Sequence, residues 1–283
     1  MSDWENLRHF VVLAREGTLS AAARRLGVDH ATVARRVAAL EADTGLKLID
    51  RRARSYQFTD DGRRIAAAVI PMEEAAFAVG RAVQAAKPGL RGEVSISSPP
   101  SLANALVAPQ LFRLRQRHPG IRVKLIGEKR TASLNRREAD VALRLSRPQE
   151  PGLIARKIGS FGFGLYGSSG YLKETPRHAF AFIAYDDSMD DAPQQGWLLT
   201  LAAGSEIVLR TNDLENQAAA ARTGVGLAVL PRFLGDPDPS LERCDLTPAP
   251  PSREVWLLVH RDLRQTPLVR AVMEFLTDCI KAK

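Results

Sequence analysis

Apolar residues recur at helical spacing over the first 87 residues and at mixed spacing after residue 92, which predicts a helical front and an α/β rear. In the front, Leu7, Phe10, Val11 and Ala14 share one helical face. Ser2 with Glu5 three residues on reads as a capping box, and Gly17 ends the segment. Thr18 is placed to cap a second helix that runs through Leu26 to Gly27, and Asp29 to cap a third from about His30 to Ala42. Three short helices with a glycine-containing break between the second and third predict a helix-turn-helix.

Ala23, Leu26, Val28, Val33, Val37 and Leu40 supply the apolar seam, and the run Ala21, Ala22 and Ala23 lets helices approach closely. His30, Ala31, Thr32, Arg35 and Arg36 are left outward on the third helix. Short groups near a helix N-terminus with arginine further along suit major-groove reading, where a guanidinium pairs with guanine or grips phosphate. Residues 46–58 then read as a hairpin: Leu46, Leu48 and Ile49 enter the core, Arg51, Arg52 and Arg54 crowd the turn, and Tyr56 and Phe58 alternate on the return. A basic hairpin beside a recognition helix is a wing that contacts phosphate or the minor groove.

Thr59 caps the next helix, with Asp60 and Asp61 at its positive end. Along it Ile65, Val69, Met72, Ala76, Val79, Val83 and Ala86 recur every four or three residues, an a/d seam. At this length it spans roughly 40 Å, more than one small domain buries, so a second copy is the expected cover. Pro71 predicts a kink.

Residues 88–92 read as a hinge. Beyond them strands are expected at 94–96, 123–126 and 140–144, a helix ending near Arg117, a short helix at 131–137, and a buried strand Leu227–Pro231 after Gly224 and Gly226. Asn212 with Glu215 reads as another capping box, for a helix to Arg222. Strand-to-helix turns present N–H groups and hydroxyls at the carboxyl edge of a sheet, where open α/β sheets bind ligands. The candidate ligand contacts are Ser97, Ser98, Ser101, Arg130, Thr131, Tyr166, Ser168, Asn212 and Gly226.

Composition narrows the function. The 283 residues carry a formal net charge of +8, and about half of that excess falls in residues 20–64, which favours a polyanionic partner. The two cysteines, Cys244 and Cys279, form no disulfide framework or zinc motif, and the five histidines are scattered. The acidic group Asp186, Asp187, Asp190 and Asp191 matches no calcium loop and reads as a surface loop. No metal, cofactor or catalytic constellation is expected. The acidic start MSDWENLRHF lacks an apolar signal core, and no run is long enough to span a membrane, so a cytoplasmic, nucleoid-associated protein is expected.

From Phe10 to Gly62 the chain resembles LysR-type transcriptional regulators. The likeness runs through Phe10, Ala14, Leu19, Ser20, Ala22, Ala23, Leu26, Val33, Arg35, Val37, Leu40, Glu41, Gly45, Leu48, Arg51, Thr59 and Gly62. It departs at Asp29-His30, where the family has Ser-Gln, and at Ile49, where it has Phe. The resemblance places Ser20 with the DNA-facing set. It implies a multidomain protein: a winged helix-turn-helix at 1–58, a linker helix at 59–87, and an α/β effector domain like a periplasmic binding protein at 92–283. Two subdomains, about 93–162 with 262–283 and about 163–261, would face each other across a cleft. The implied partners are double-stranded operator DNA, a small anionic effector, a second copy in a homodimer or homotetramer, and RNA polymerase. Two alternatives stay open: a solute-binding protein of transport, and an enzyme with an accessory DNA-binding domain.

Overall fold

A computed structural model describes residues 3–50, 57–85, 89–127, 134, 139–148, 152–245 and 247–281. It divides into two compact units, Met1–Val83 and Gln84–Lys283.

The first unit opens with α1 (Trp4–Glu16), α2 (Leu19–Leu26) and α3 (His30–Thr44). Thr18 and Asp29 cap α2 and α3 as expected, accepting the N–H groups of Ala21 and Thr32. The α1 cap is Asp3, which accepts the Glu5 N–H at 3.1 Å, one residue later than expected. Gly17 and Gly27 end α1 and α2 with φ of 73° and 70°, a left-handed turn that suits a residue without Cβ. The core gathers Phe10, Leu13, Ala22, Val33, Val37, Leu40 and Leu48. Val28, expected in this seam, is 37% exposed, because the turn after Gly27 swings it outward. The hairpin is confirmed by β1 (Ile49–Asp50) and β2 (Gln57–Phe58), paired antiparallel with Ile49 opposite Phe58. Its tip, with Arg51, Arg52, Arg54 and Tyr56, lies outside the described residues.

Thr59 then caps α4 (Asp60–Ala85) by accepting the Gly62 N–H at 2.9 Å. The helix passes through Pro71 without interruption.

The second unit comprises β3 (Gly92–Ser98), α5 (Pro100–Leu102), α6 (Leu111–Arg117), β4 (Ile121–Gly127), β5 (Val141–Arg144) and the long β6 (Leu153–Gly167). There follow α7 (Ser169–Glu174), β7 (Phe182–Ala184), α8 (Pro193–Leu201), β8 (Ile207–Arg210), α9 (Leu214–Arg222) and β9 (Leu227–Pro231). The chain closes with α10 (Arg232–Gly235), β10 (Glu242–Cys244), β11 (Ser252–His260) and α11 (Pro267–Lys281). The expected single helix to Arg117 is broken: a π turn at Ala103–Val107 and a 3-10 turn at Ala108–Gln110 separate α5 from α6. Pro109 cannot donate a backbone N–H, and the broken stretch accommodates it. The expected helix at 131–137 falls largely outside the described residues.

Strands run in the order β4-β3-β5-β11-β6-β9-β7-β8, with β10 also on β6. β6 passes between two half-sheets: residues 153–162 pair with β11, while 163–167 pair with β9 and β10. Each half has its own core. One gathers Val94, Ile96, Leu143, Val255 and Leu257 under α11; the other gathers Phe163, Leu165, Phe182, Leu227 and Val229. The two-lobed α/β expectation holds, but the return crossing comes earlier than residue 262. β11 pairs with β5 and with the first part of β6, so it belongs to the first lobe.

Candidate nucleic-acid interface and ligand cavity

The outer side of α3 carries His30, Ala31 and Arg35, all exposed, with Thr32 half-buried and Ser20 exposed on α2. The Asp29 cap accepts the Thr32 N–H at 2.6 Å, and this bond holds its carboxyl below the usual range. Arg35 reaches back to the Thr32 hydroxyl at 3.5 Å, a weak contact that leaves the guanidinium exposed. Arg36 differs from its expected outward role. Its Nη1 donates to Asp3 Oδ2 and Asn6 Oδ1, both at 3.2 Å, which ties α3 to the start of α1. Arg24 and Arg25, exposed in the last turn of α2 beside the turn to α3, were missed as candidates. Their signal was present as two cations at the negative helix end.

The α4 stripe splits in two. Val69 is buried in the first unit's core with Ile65 packed against it, whereas Met72, Val79 and Val83 are 50%, 66% and 56% exposed and Ala76 is also exposed. Next to Met72 the buried Glu73 carboxylate accepts from Arg15 Nη2 at 2.5 Å. The a/d spacing could not distinguish the half that packs within the chain from the half left open.

In the second unit a cavity of about 350 Å³ opens at the carboxyl ends of β3, β5, β7, β8 and β9. Pro100 and Ser101 come from the β3–α5 turn, Arg144 and Leu145 from the end of β5, and Phe161 and Phe163 from β6. Tyr185, Gln194, Asn212, Asp213, Glu215, Pro231 and Arg253 complete much of the lining. Of the expected ligand contacts, Ser101 and Asn212 line this cavity. Arg130 and Thr131 lie outside the described residues.

The others are placed differently. Ser97 and Ser98 are fully buried in β3; the Ser97 carbonyl accepts from Arg144 Nη1 at 3.3 Å, and the Ser98 hydroxyl donates to the Pro99 carbonyl. Tyr166 is buried and donates to Asp236 Oδ1 at 2.5 Å. Burial first, then this bond, pushes the phenol up. Ser168 caps α7 by accepting the Tyr171 N–H. Gly226 packs so closely that an added Cβ would lie 2.8 Å from the Ala181 carbonyl oxygen. These three serve the second lobe's packing and are absent from the cavity lining. The helix after Asn212 is capped by Asp213, which accepts the Glu215 and Asn216 N–H groups, so the cap falls one residue later than expected.

Arg253, Tyr185 and Gln194 were missed, because they lie on a strand, a strand end and a helix start with no local motif to mark them. Gln195, next to Gln194, clamps the Tyr185 backbone from both sides, at 3.0 and 3.1 Å. Burial pushes the Tyr185 phenol up to about 12. The acidic loop has a local role: Asp186 caps a 3-10 turn by accepting the Ser188 N–H. Burial raises the thiols of Cys244 and Cys279, the latter to about 11, which opposes thiolate chemistry at either. Among the described residues no helix is long and apolar enough to cross a membrane.

A helix-turn-helix with an open outer face, followed by a two-lobed α/β unit with a cavity at its strand ends, defines a DNA-binding regulator carrying its own ligand domain. The family descriptions "Bacterial regulatory helix-turn-helix protein, lysR family" and "LysR substrate binding domain" match residues 4–63 and 87–279. The chain therefore belongs to the LysR family of bacterial transcriptional regulators, and it is not an enzyme or a transport binding protein. It is 28% identical over 276 residues to the Mau operon transcriptional activator of Paracoccus denitrificans, covering 98% of this chain and 96% of the relative. It is 30% identical over 232 residues to the AhcY transcriptional activator HvrB of Rhodobacter capsulatus, covering 78% and 77%. The full-length structure of the Vibrio cholerae virulence activator AphB shares the fold, with a TM-score of 0.64 and 22% identity over 97% of this chain and 98% of that one. The family binds DNA and small-molecule effectors and forms oligomers.

Proposed function

We propose that α3 reads one operator half-site in the major groove through His30, Ala31, Thr32 and Arg35, with Ser20 beside it. The supporting observation is the exposure of Ser20, His30, Ala31 and Arg35 above a closed core. Arg51, Arg52 and Arg54 of the wing, with Arg24 and Arg25, grip phosphate. Two chains pair through Met72, Ala76, Val79 and Val83, and the pairs assemble further into tetramers. A small molecule in the second unit's cavity binds two arrangements of the assembly unequally, and this shifts DNA geometry or contact with RNA polymerase. The protein works in the cytoplasm on the nucleoid.

Gel-shift titration on the protein's own promoter region and on a scrambled duplex, at two salt concentrations, tests the reading. Preference for the promoter that weakens with Arg35→Ala supports it. Equal affinity for both duplexes would refute it.

A further inference from the structure

Arg253 stands out among the cavity-lining residues. It sits half-buried on β11 and is held in place by neutral groups. Its Nε and Nη2 donate to the Leu145 carbonyl at 3.4 and 3.2 Å, and its Nη1 donates to Gln194 Oε1 at 3.3 Å. A guanidinium has five donors in a planar fork. Three are engaged here by uncharged oxygens. Among the described residues no carboxylate pairs with Arg253, and burial pulls its pKa down. A partly desolvated cation without a counter-ion is costly unless something negative joins it.

Among the described residues, none of the acids in the same lining forms an ion pair with Arg253. Asp213 accepts two backbone N–H groups at the start of α9, Glu215 sits in that helix's first turn, and Asp191 is exposed. The opposite character lies close by: Phe161, Phe163, Leu214 and Pro231 give the cavity an apolar wall. The buried Tyr185 phenol, kept protonated, faces Gln194 next to the guanidinium.

We propose that Arg253 is the anion-recognising residue of the effector cavity, and that the effector is a small carboxylate whose apolar body packs on Phe161 and Phe163. The fork pairs with the carboxylate and supplies the missing counter-charge. A neutral amide of the same shape fills the cavity but leaves the charge uncompensated. The inference rests on the cavity being the effector site, as proposed above.

Thermal-shift and calorimetric titrations of the full chain use two probe pairs, phenylacetate with phenylacetamide and hexanoate with hexanamide, into the millimolar range. At least one acid is expected to raise the melting temperature and to bind about ten- to hundredfold more tightly than its amide. Arg253→Gln removes that preference, and Arg253→Lys, which keeps the charge but not the fork, retains part of it. A circular-dichroism spectrum and a cooperative denaturation transition like those of wild type verify that the ligand-free Arg253→Gln protein is folded. Equal binding of acid and amide, acid binding that survives Arg253→Gln, or no response to either acid overturns the proposal. Acid binding through Arg253 without any change in operator affinity upholds the anion site and refutes only the effector's control of DNA binding.

Discussion

The buried Glu41 carboxylate near the end of α3 accepts the backbone N–H of Leu48 at 2.8 Å. The same oxygen accepts the Ile49 N–H at 3.2 Å, so one side chain satisfies the strand that opens the wing. The Leu48 carbonyl in turn accepts the Thr59 N–H at 3.2 Å, which joins α3, the hairpin and α4 at one residue.

Glu41→Ala leaves buried N–H groups without this acceptor and is expected to destabilise the protein by on the order of 1–3 kcal/mol. Glu41→Gln keeps an acceptor oxygen and should lose less. Chemical denaturation of the full chain measures both, and a wild-type midpoint for Glu41→Ala would remove the staple role.

The two halves of the α4 stripe should respond differently. Val79→Glu or Val83→Glu places a charge on the open half and is expected to shift the protein toward monomer in sedimentation velocity without loss of fold. Val69→Ala should leave self-association intact and cost about 2 kcal/mol of stability, because its side chain is 4% exposed in the first unit's core. If Val79→Glu sediments like wild type, the open stripe is not the pairing surface.

Arg35 and Arg36 are adjacent yet should be separable. Arg35→Ala is expected to cost about 1–3 kcal/mol of discrimination between promoter and scrambled DNA. Arg36→Ala breaks an exposed bond to Asp3 and a part-buried one to Asn6 and should cost about 1 kcal/mol of stability, with a smaller effect on discrimination. Equal losses of discrimination would show that Arg36 leaves its ties to α1 and reads bases as well.

Tyr166 and Asp236 couple stability to pH at both ends of the scale. Burial alone would raise the Asp236 pKa, but hydrogen bonds from Tyr166 and Arg232 outweigh it and hold the carboxyl below 3.8. Its contribution is therefore present above that value and lost as pH falls through the lower folded pKa. The Tyr166 phenol lies above 10.0, so its contribution is present below that value and lost as pH rises past it. Tyr166→Phe should cost about 1.5–3 kcal/mol near neutrality and flatten both limbs of the stability–pH curve. Tyr185, also raised, keeps some alkaline dependence. Denaturation midpoints from pH 3 to 11 measure this, and two unflattened limbs would contradict the coupling.

Much of this protein was legible along the chain because helix signals are local. Thr18, Asp29 and Thr59 act within three residues of themselves, and Gly17 and Gly27 satisfy a local backbone need. The strands around residues 94, 123, 141 and 227 were legible for the same reason, through short β-branched runs. The cavity was legible as a place, the carboxyl edge of the sheet, but not as a set of side chains. Ser97 and Tyr166 carry suitable groups yet are buried away from its lining, while Arg253 enters from a strand over a hundred residues after Leu145.

By itself, then, the sequence determined the helix-turn-helix, the long helix after it and several strands of the second unit, since those follow from periodicity and caps between near neighbours. Only the tertiary structure decided which half of the α4 stripe is covered, that Arg36 is tied to Asp3 at the start of α1, and that β11 returns to the first lobe carrying Arg253 toward Gln194. Those outcomes depend on which distant surfaces meet, and residue spacing along one chain carries no record of that.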